Sequence, residues 1–293
     1  MKKEHMMKYP TEKRMLWLSQ VRSVPYRQRV ELAAKNGFGW LSTSPMDYKN
    51  TRAGGLSDKD IRSVAADNGV RLSYLDPLTS WVPDGLTPGE DPDIKPYLDT
   101  TPDDFFRIAE ALQVDRIHLI GSFPEGRYTL DELTGHYAAM CDRAAENGLK
   151  CLIEAMPLWG LKTVDEVWTI VRDAGRKNSG IIFDTWHYVR GGRNDALLKE
   201  IPVGTFDTVQ IADGPLVCPP GRSMKRDCLS YRVPIGQGEI PNLEILKILK
   251  DAGHIESVGP EIFSDALDKL EGDEIMSRLM PGFEALLDEL DKA

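Results

Sequence analysis

Apolar positions fall into short runs separated by longer amphipathic stretches, and this alternation organises the whole chain. Met15 to Val21 reads as a strand. Pro25 to Asn36 follows with Val30, Leu32, Ala33 and Ala34 at helical spacing until Gly37 stops it. Trp40 to Ser44 reads as a second strand, Ser57 to Asn68 as a helix capped by Ser57 and ended by Gly69, and Val70 to Leu75 as a third strand. The rhythm then continues with a helix over Pro102 to Leu112, a strand over Arg116 to Ile120 and a helix over Leu130 to Asn147. Leu152 and Ile153 lead into Glu154, Thr163 to Gly175 is helical, and Gly180 to Phe183 is a short apolar strand ending at Asp184. Asp195 to Lys199 forms a short helix, Thr208 to Ile211 a strand, Leu243 to Ala252 a helix and Ser257 to Phe263 the last strand. Pro281 and Gly282 are expected to break the final helical stretch, Glu274 to Leu290, in two.

Eight βα units in 293 residues predict one (β/α)8 TIM barrel spanning residues 1–293. The rival open sheet lacks its usual markers, since no GxGxxG follows the first strand and no GxxxxGK[ST] occurs. Residues 77–101 and 214–236 escape the alternation and are rich in turn formers. Long irregular insertions in a compact domain tend to cover sites, so both are expected to be functional loops.

A net charge of -10 works against non-specific binding to nucleic acid or anionic membranes. No apolar run approaches the ~20 residues needed to span a bilayer, and the opening MKKEHMMKYPTEKR has charges without a following signal-peptide core. A cytoplasmic protein with a small-molecule partner is expected, with self-association left open. Cys141, Cys151, Cys218 and Cys228 show no zinc-site spacing and read as reduced thiols, although a bridge between Cys218 and Cys228 fits their separation.

Candidate chemistry lies where apolar strands end in polar residues, the place where barrels gather catalytic groups. CLIEAMP presents Glu154, IIFDTWH presents Asp184, DTVQIAD presents Gln210 and VGPEIFS presents Glu261. Singly, each reads as well as a helix cap, a barrel hydrogen bond or an ion pair. Jointly, three carboxylates and an amide on successive strand ends would repel one another without a cation between them. Their hard oxygens suit Mn2+ or Mg2+, with Co2+ or Zn2+ as alternatives. GIIFDTWHYVRGG adds His187 and Arg190 to one strand-to-helix turn. His118, in HLIGSF on the fourth strand, reads first as a packed barrel residue, with a place in the mouth as the alternative. Trp81, Trp159 and Trp186 follow strand ends, where stacking on a ligand and ordinary packing are equally compatible with position.

The runs EAMP, DTWHYVRGG, VQIADG, RVPIGQGEI and GPEIFS resemble the xylose-isomerase-like TIM-barrel superfamily, home of sugar isomerases and epimerases, inositol-catabolic enzymes and 3-dehydroshikimate dehydratases. The resemblance implies that Glu154, Asp184, Gln210 and Glu261 take the four metal positions, that His187 is the histidine following the metal-binding Asp, and that Arg232 orients substrate. The chain departs from the pattern in three places: Gln210 replaces the histidine of many ketose epimerases, the turn reads IGQG, and LDPLTSW lacks the histidine that dehydratases carry on the third strand.

These groups suit removal of a proton beside a carbonyl, with Glu154 and Glu261 as bases on opposite sides and His187 serving a substrate oxygen. Arg190, Arg232, Trp81 and Trp186 are expected to contact substrate. The expected activity is isomerisation or epimerisation of a sugar or other polyhydroxylated keto compound through an enolate. A dehydratase-like lyase is the alternative; an endonuclease or a non-catalytic binding protein fits the charge and histidine content less well.

Overall fold

The computed structural model of the chain describes residues 9–83 and 95–292. Eight parallel strands form one sheet in sequence order: β1 (Met15–Leu16), β2 (Trp40–Thr43), β3 (Arg71–Leu78), β4 (Arg116–Ile120), β5 (Lys150–Glu154), β6 (Ser179–Asp184), β7 (Phe206–Ile211) and β8 (Val258–Pro260). A parallel bridge from Arg14 to Val258 brings the first strand back to the eighth, giving a nearly closed (β/α)8 TIM barrel.

Helices separate the strands. The first five are α1 (Tyr26–Lys35), α2 (Pro45–Ala53), α3 (Asp58–Asp67), α4 (Lys95–Leu98) and α5 (Pro102–Leu112), followed by α6 (Leu130–Glu146) and α7 (Val164–Ala174). The later ones are α8 (Thr185–Gly191), α9 (Asp195–Glu200), α10 (Met224–Ser230), α11 (Asn242–Asp251) and α12 (Gly272–Lys292). Ser57, Thr129 and Thr163 start α3, α6 and α7 with capping boxes, each hydroxyl accepting from the third helical N–H while an acidic side chain reaches back.

Both faces of the sheet are buried, which is why the strands read as continuous apolar runs. Inside the barrel, Met15, Trp17, Tyr74, Leu152 and Ile182 form an apolar layer. At the amino-terminal end of the strands, Asp207 accepts from Arg116 Nε at 2.6 Å, from Lys150 Nζ at 2.5 Å and from the Tyr74 hydroxyl. The carboxyl ends, two residues beyond Leu152 and Ile182, carry Glu154 and Asp184.

Several boundaries differ from the sequence expectation. β1 stops at Leu16 because Leu18 turns into the helical region and donates its N–H to Ser42 Oγ at 2.8 Å, so Ser19–Val21 becomes a 3-10 turn. The loop expected over 77–101 keeps Pro77 and Leu78 in β3 and Lys95–Leu98 in a helix, and its residues 84–94 lie outside the described set. The loop at 214–236 contains α10. α12 runs unbroken through Pro281, because its buried face of Ile275, Met276, Leu279, Phe283, Leu287 and Leu290 continues across the proline. Gly282 is needed there: a Cβ would stand 1.9 Å from the Ile235 carbonyl oxygen. All four cysteines are free thiols.

Candidate metal centre and cavity

Strand register places the polar strand ends at nearly one height. Asp184 pairs with Gln210, and Glu154 pairs with Ile182, two residues below Asp184. Ile211 pairs with Pro260, which puts Glu261 one step past β8. All four residues are buried.

Asp184 does two jobs at once. Its Oδ1 caps α8 by accepting the His187 N–H at 2.9 Å, while Oδ2 accepts from Arg232 NH1 at 2.6 Å and lies 3.7 Å from His187 Nε2. The helix-cap and site readings of this residue are therefore compatible. The cap also fixes His187, whose Nε2 sits 4.0 Å from Glu154 Oε1. Glu154, Asp184 and His187 form a buried group with ligand atoms all within 4.8 Å of one another, able to hold a metal ion. His187 thus joins the compact set, while Glu261 Oε1 accepts from Gln210 Nε2 at 2.9 Å beside it.

The donor set fits a divalent cation. Glu154 Oε1 and Gln210 Oε1 are buried oxygens without a hydrogen-bond partner among the described residues, and a buried acceptor left unpaired is costly. Burial, with Glu154, Asp184 and Asp76 nearby, pushes the Glu261 carboxyl well above the carboxylate range despite the pull of Arg232. At Asp184 burial is outweighed by Arg232 and His187, which hold the carboxyl below its ordinary value. Burial lowers His187, so its imidazole is neutral at pH 7, the form that ligates metals.

A cavity of about 420 Å³ opens above this cluster, a size suited to a small ligand. Asp76, His118, Glu154, His187, Cys228 and Glu261 lie in its lower wall, with Met156 and Trp159 beside them and Arg22, Lys225 and Arg226 farther round. Burial pushes the Cys228 thiol up to about 12, so it stays protonated.

The four residues expected to contact substrate lie outside the cavity lining. Arg232 is fully buried beneath it, donating to His187 Nε2 at 2.8 Å and to the Cys228 carbonyl at 3.1 Å, and it stacks near Trp186 and Phe263. Arg190 is held by Asp227 at 2.7 Å and by the Pro215 carbonyl at 2.8 Å, over the face of Trp186. This pair ties α8 to α10, which supplies part of the cavity wall. Trp186 is core, and Trp81 donates its indole N–H to the Ile120 carbonyl at 2.8 Å while packing on Phe123 and Tyr137. Of the tryptophans singled out, Trp159 faces the cavity.

His118 is buried, as a barrel residue would be, and it also takes the alternative place in the mouth. It sits at the cavity with Nδ1 2.8 Å from Asp76 Oδ1 and Nε2 3.0 Å from Glu154 Oε2. Burial alone would lower its pKa, but Asp76 and Glu154 lift it to about 10. The available signal was alternation: His118 lies two residues from Ile120, which also lines the cavity, and the residues of a strand point inward at every second position.

Comparison with known proteins places the fold in a family. A 3-dehydroshikimate dehydratase from Pseudomonas putida is 25% identical over 213 residues, covering 71% of this chain and 32% of that protein. The chain thus spans a third or less of the length of the curated relatives it matches. The solved IOLI protein with a binding zinc atom aligns with a TM-score of 0.76 and 17% identity over 95% of this chain and 99% of its own. A D-psicose 3-epimerase crystallised in the presence of D-fructose aligns with a TM-score of 0.67 and 17% identity, covering 95% and 99%. These structural likenesses show the fold. Residues 30–280 match the family model described as xylose isomerase-like TIM barrel, and the chain belongs to that family.

Proposed function

We propose that the protein is a divalent-cation-dependent enzyme that removes a proton beside the carbonyl of a small hydroxylated keto compound and then expels a β-hydroxyl, as a lyase of the dehydratase type. The observation that carries the reading is the buried Glu154, Asp184 and His187 group at the floor of a ligand-sized cavity, with unpaired oxygens on Glu154 and Gln210. Glu154, Asp184, Gln210, Glu261 and His187 would hold the cation, with Mn2+ or Mg2+ favoured by the oxygen donors and Zn2+ or Co2+ by the histidine. A cation bound there supplies polarisation of the carbonyl and charge to balance an enolate.

The protein's own groups do the rest. Glu154 and Glu261 face the cavity and are the candidate bases, Glu261 once a bound cation offsets the burial that keeps its carboxyl protonated. Arg232 donates to His187 Nε2, so the neutral imidazole carries its proton on the buried Nδ1, and a cation held by His187 would take the Nε2 lone pair in place of that hydrogen bond. Arg232 stays under the cavity and holds Asp184 and His187 in place, an orienting role one step removed from substrate.

The lyase outcome is favoured by the sequence relative named as a dehydratase, which aligns over most of this chain. Epimerisation or isomerisation is the second reading, favoured by two carboxylates, Glu154 and Glu261, on different strands of one cavity. Incubation with Mn2+ and either 3-dehydroshikimate or a series of ketoses in heavy water separates the two. A new ultraviolet-absorbing product from 3-dehydroshikimate supports the lyase. Deuterium uptake into a ketose without loss of water supports the isomerase, and neither change with any substrate refutes both.

A further inference from the structure

Asp76, His118 and Glu154 come from three successive strands and form a line of contacts leading to the metal centre. Asp76 sits at the end of β3 and is partly exposed to the cavity; its Oδ1 is 2.8 Å from His118 Nδ1. A carboxylate at that distance accepts the Nδ1 proton and fixes the ring plane. The other ring nitrogen, Nε2, lies 3.0 Å from Glu154 Oε2, off the ideal line of a hydrogen bond. Two bare acceptors at 3.0 Å would repel, so this contact requires a proton on Nε2.

The consequence falls on Glu154. Its two oxygens are distinguished: Oε2 is turned toward His118, and Oε1, beside His187, has no hydrogen-bond partner among the described residues. A ligating carboxylate whose second oxygen is held points its first in one direction, whereas an unheld one samples several rotamers. We propose that Asp76 and His118 act as a positioning pair, holding Glu154 so that its free oxygen faces the cation. This deepens the functional reading above, since it rests on the same metal centre. It assigns a role to strands β3 and β4, which contribute no ligand.

The test uses Mn2+ itself, titrated into the full chain and followed by calorimetry and by the Mn2+ paramagnetic resonance signal. The variant His118→Leu is expected to bind Mn2+ roughly tenfold to a hundredfold more weakly, the range seen when outer partners of ligands are removed. His118→Gln, whose amide nitrogen replaces Nε2, is expected to recover at least half of that loss on a logarithmic scale. Asp76→Ala is expected to bind Mn2+ at least threefold more weakly than native, with a lowered melting temperature because the buried His118 loses its carboxylate partner. A merely structural role for His118 would shift the melting temperature and leave Mn2+ affinity alone. Native-like affinity in His118→Leu, within about twofold, overturns the proposal. Should that variant not fold, unchanged affinity in Asp76→Ala overturns it equally. The two levels fail separately: a native chain that binds no Mn2+ sinks the functional reading and this pair with it, whereas native binding with unaffected variants sinks the pair alone.

Discussion

Replacing Arg232 by methionine removes a charge while keeping most of the volume, and the structure says what is stranded. The guanidinium is fully buried and donates to Asp184 Oδ2 at 2.6 Å, to His187 Nε2 at 2.8 Å and to the Glu261 carbonyl at 3.2 Å. Without it, Asp184 is a buried carboxylate whose remaining partner is the His187 N–H on its other oxygen. Removing one member of a buried pair costs about 3–5 kcal/mol, because the other charge stays buried. With an unfolding entropy of ~2.1 cal/mol/K per residue, ~0.6 kcal/mol/K for a chain of 293 residues, a loss of about 4 kcal/mol lowers Tm by roughly 6 °C. A cation among the same carboxylates offsets the stranded charge, so Mn2+ should raise Tm more in Arg232→Met than in the native chain at equal concentration. Differential scanning fluorimetry with and without Mn2+ measures both quantities. A loss below about 1 kcal/mol, or a Mn2+ response no larger than native, would refute the claim that Arg232 and the cation share these carboxylates.

Two further outcomes follow from the scaffold. Burial raises the Asp207 carboxyl, but Arg116, Lys150 and Tyr74 outweigh it and hold the pKa below 3.8, so its contribution is full above that value and is lost as pH falls through the native pKa. Asp207→Asn should therefore cost about 3 kcal/mol at pH 7 in urea melts, with the gap to native closing below about pH 4; a gap constant with pH would contradict the assignment. Gly282→Ala should lower stability by about 3 kcal/mol, because its Cβ would meet the Ile235 backbone oxygen at 1.9 Å. The exposed helical Gly135, whose Cβ would meet nothing, is the control and should gain from the same change.

What could be read in the chain before its structure was the part encoded locally. IIFD and VGPE end in a polar residue, DTVQI carries Gln210 one step before its end, and parallel register brought these positions to a common mouth. The buried tryptophans were not legible, because Trp81 and Trp186 follow strand ends in sequence yet their burial is decided by neighbours such as Tyr137 and Arg232 from distant segments. α10 was missed for a related reason: MKRDCLS has little apolar periodicity, and its Asp227 is held by Arg190 and Arg222. His118 and Asp76 lie 42 residues apart, so their contact is a product of strand order alone. α12 shows tertiary packing overriding a local breaker at Pro281.

The most direct measurement is anomalous scattering from a crystal grown with Mn2+. A peak within coordination distance of Glu154, Asp184 and His187, with Gln210 or Glu261 completing the set, is the expected result. A crystal containing Mn2+ only elsewhere, with Glu154 Oε1 and Gln210 Oε1 facing solvent or protein donors instead, would contradict the metal centre.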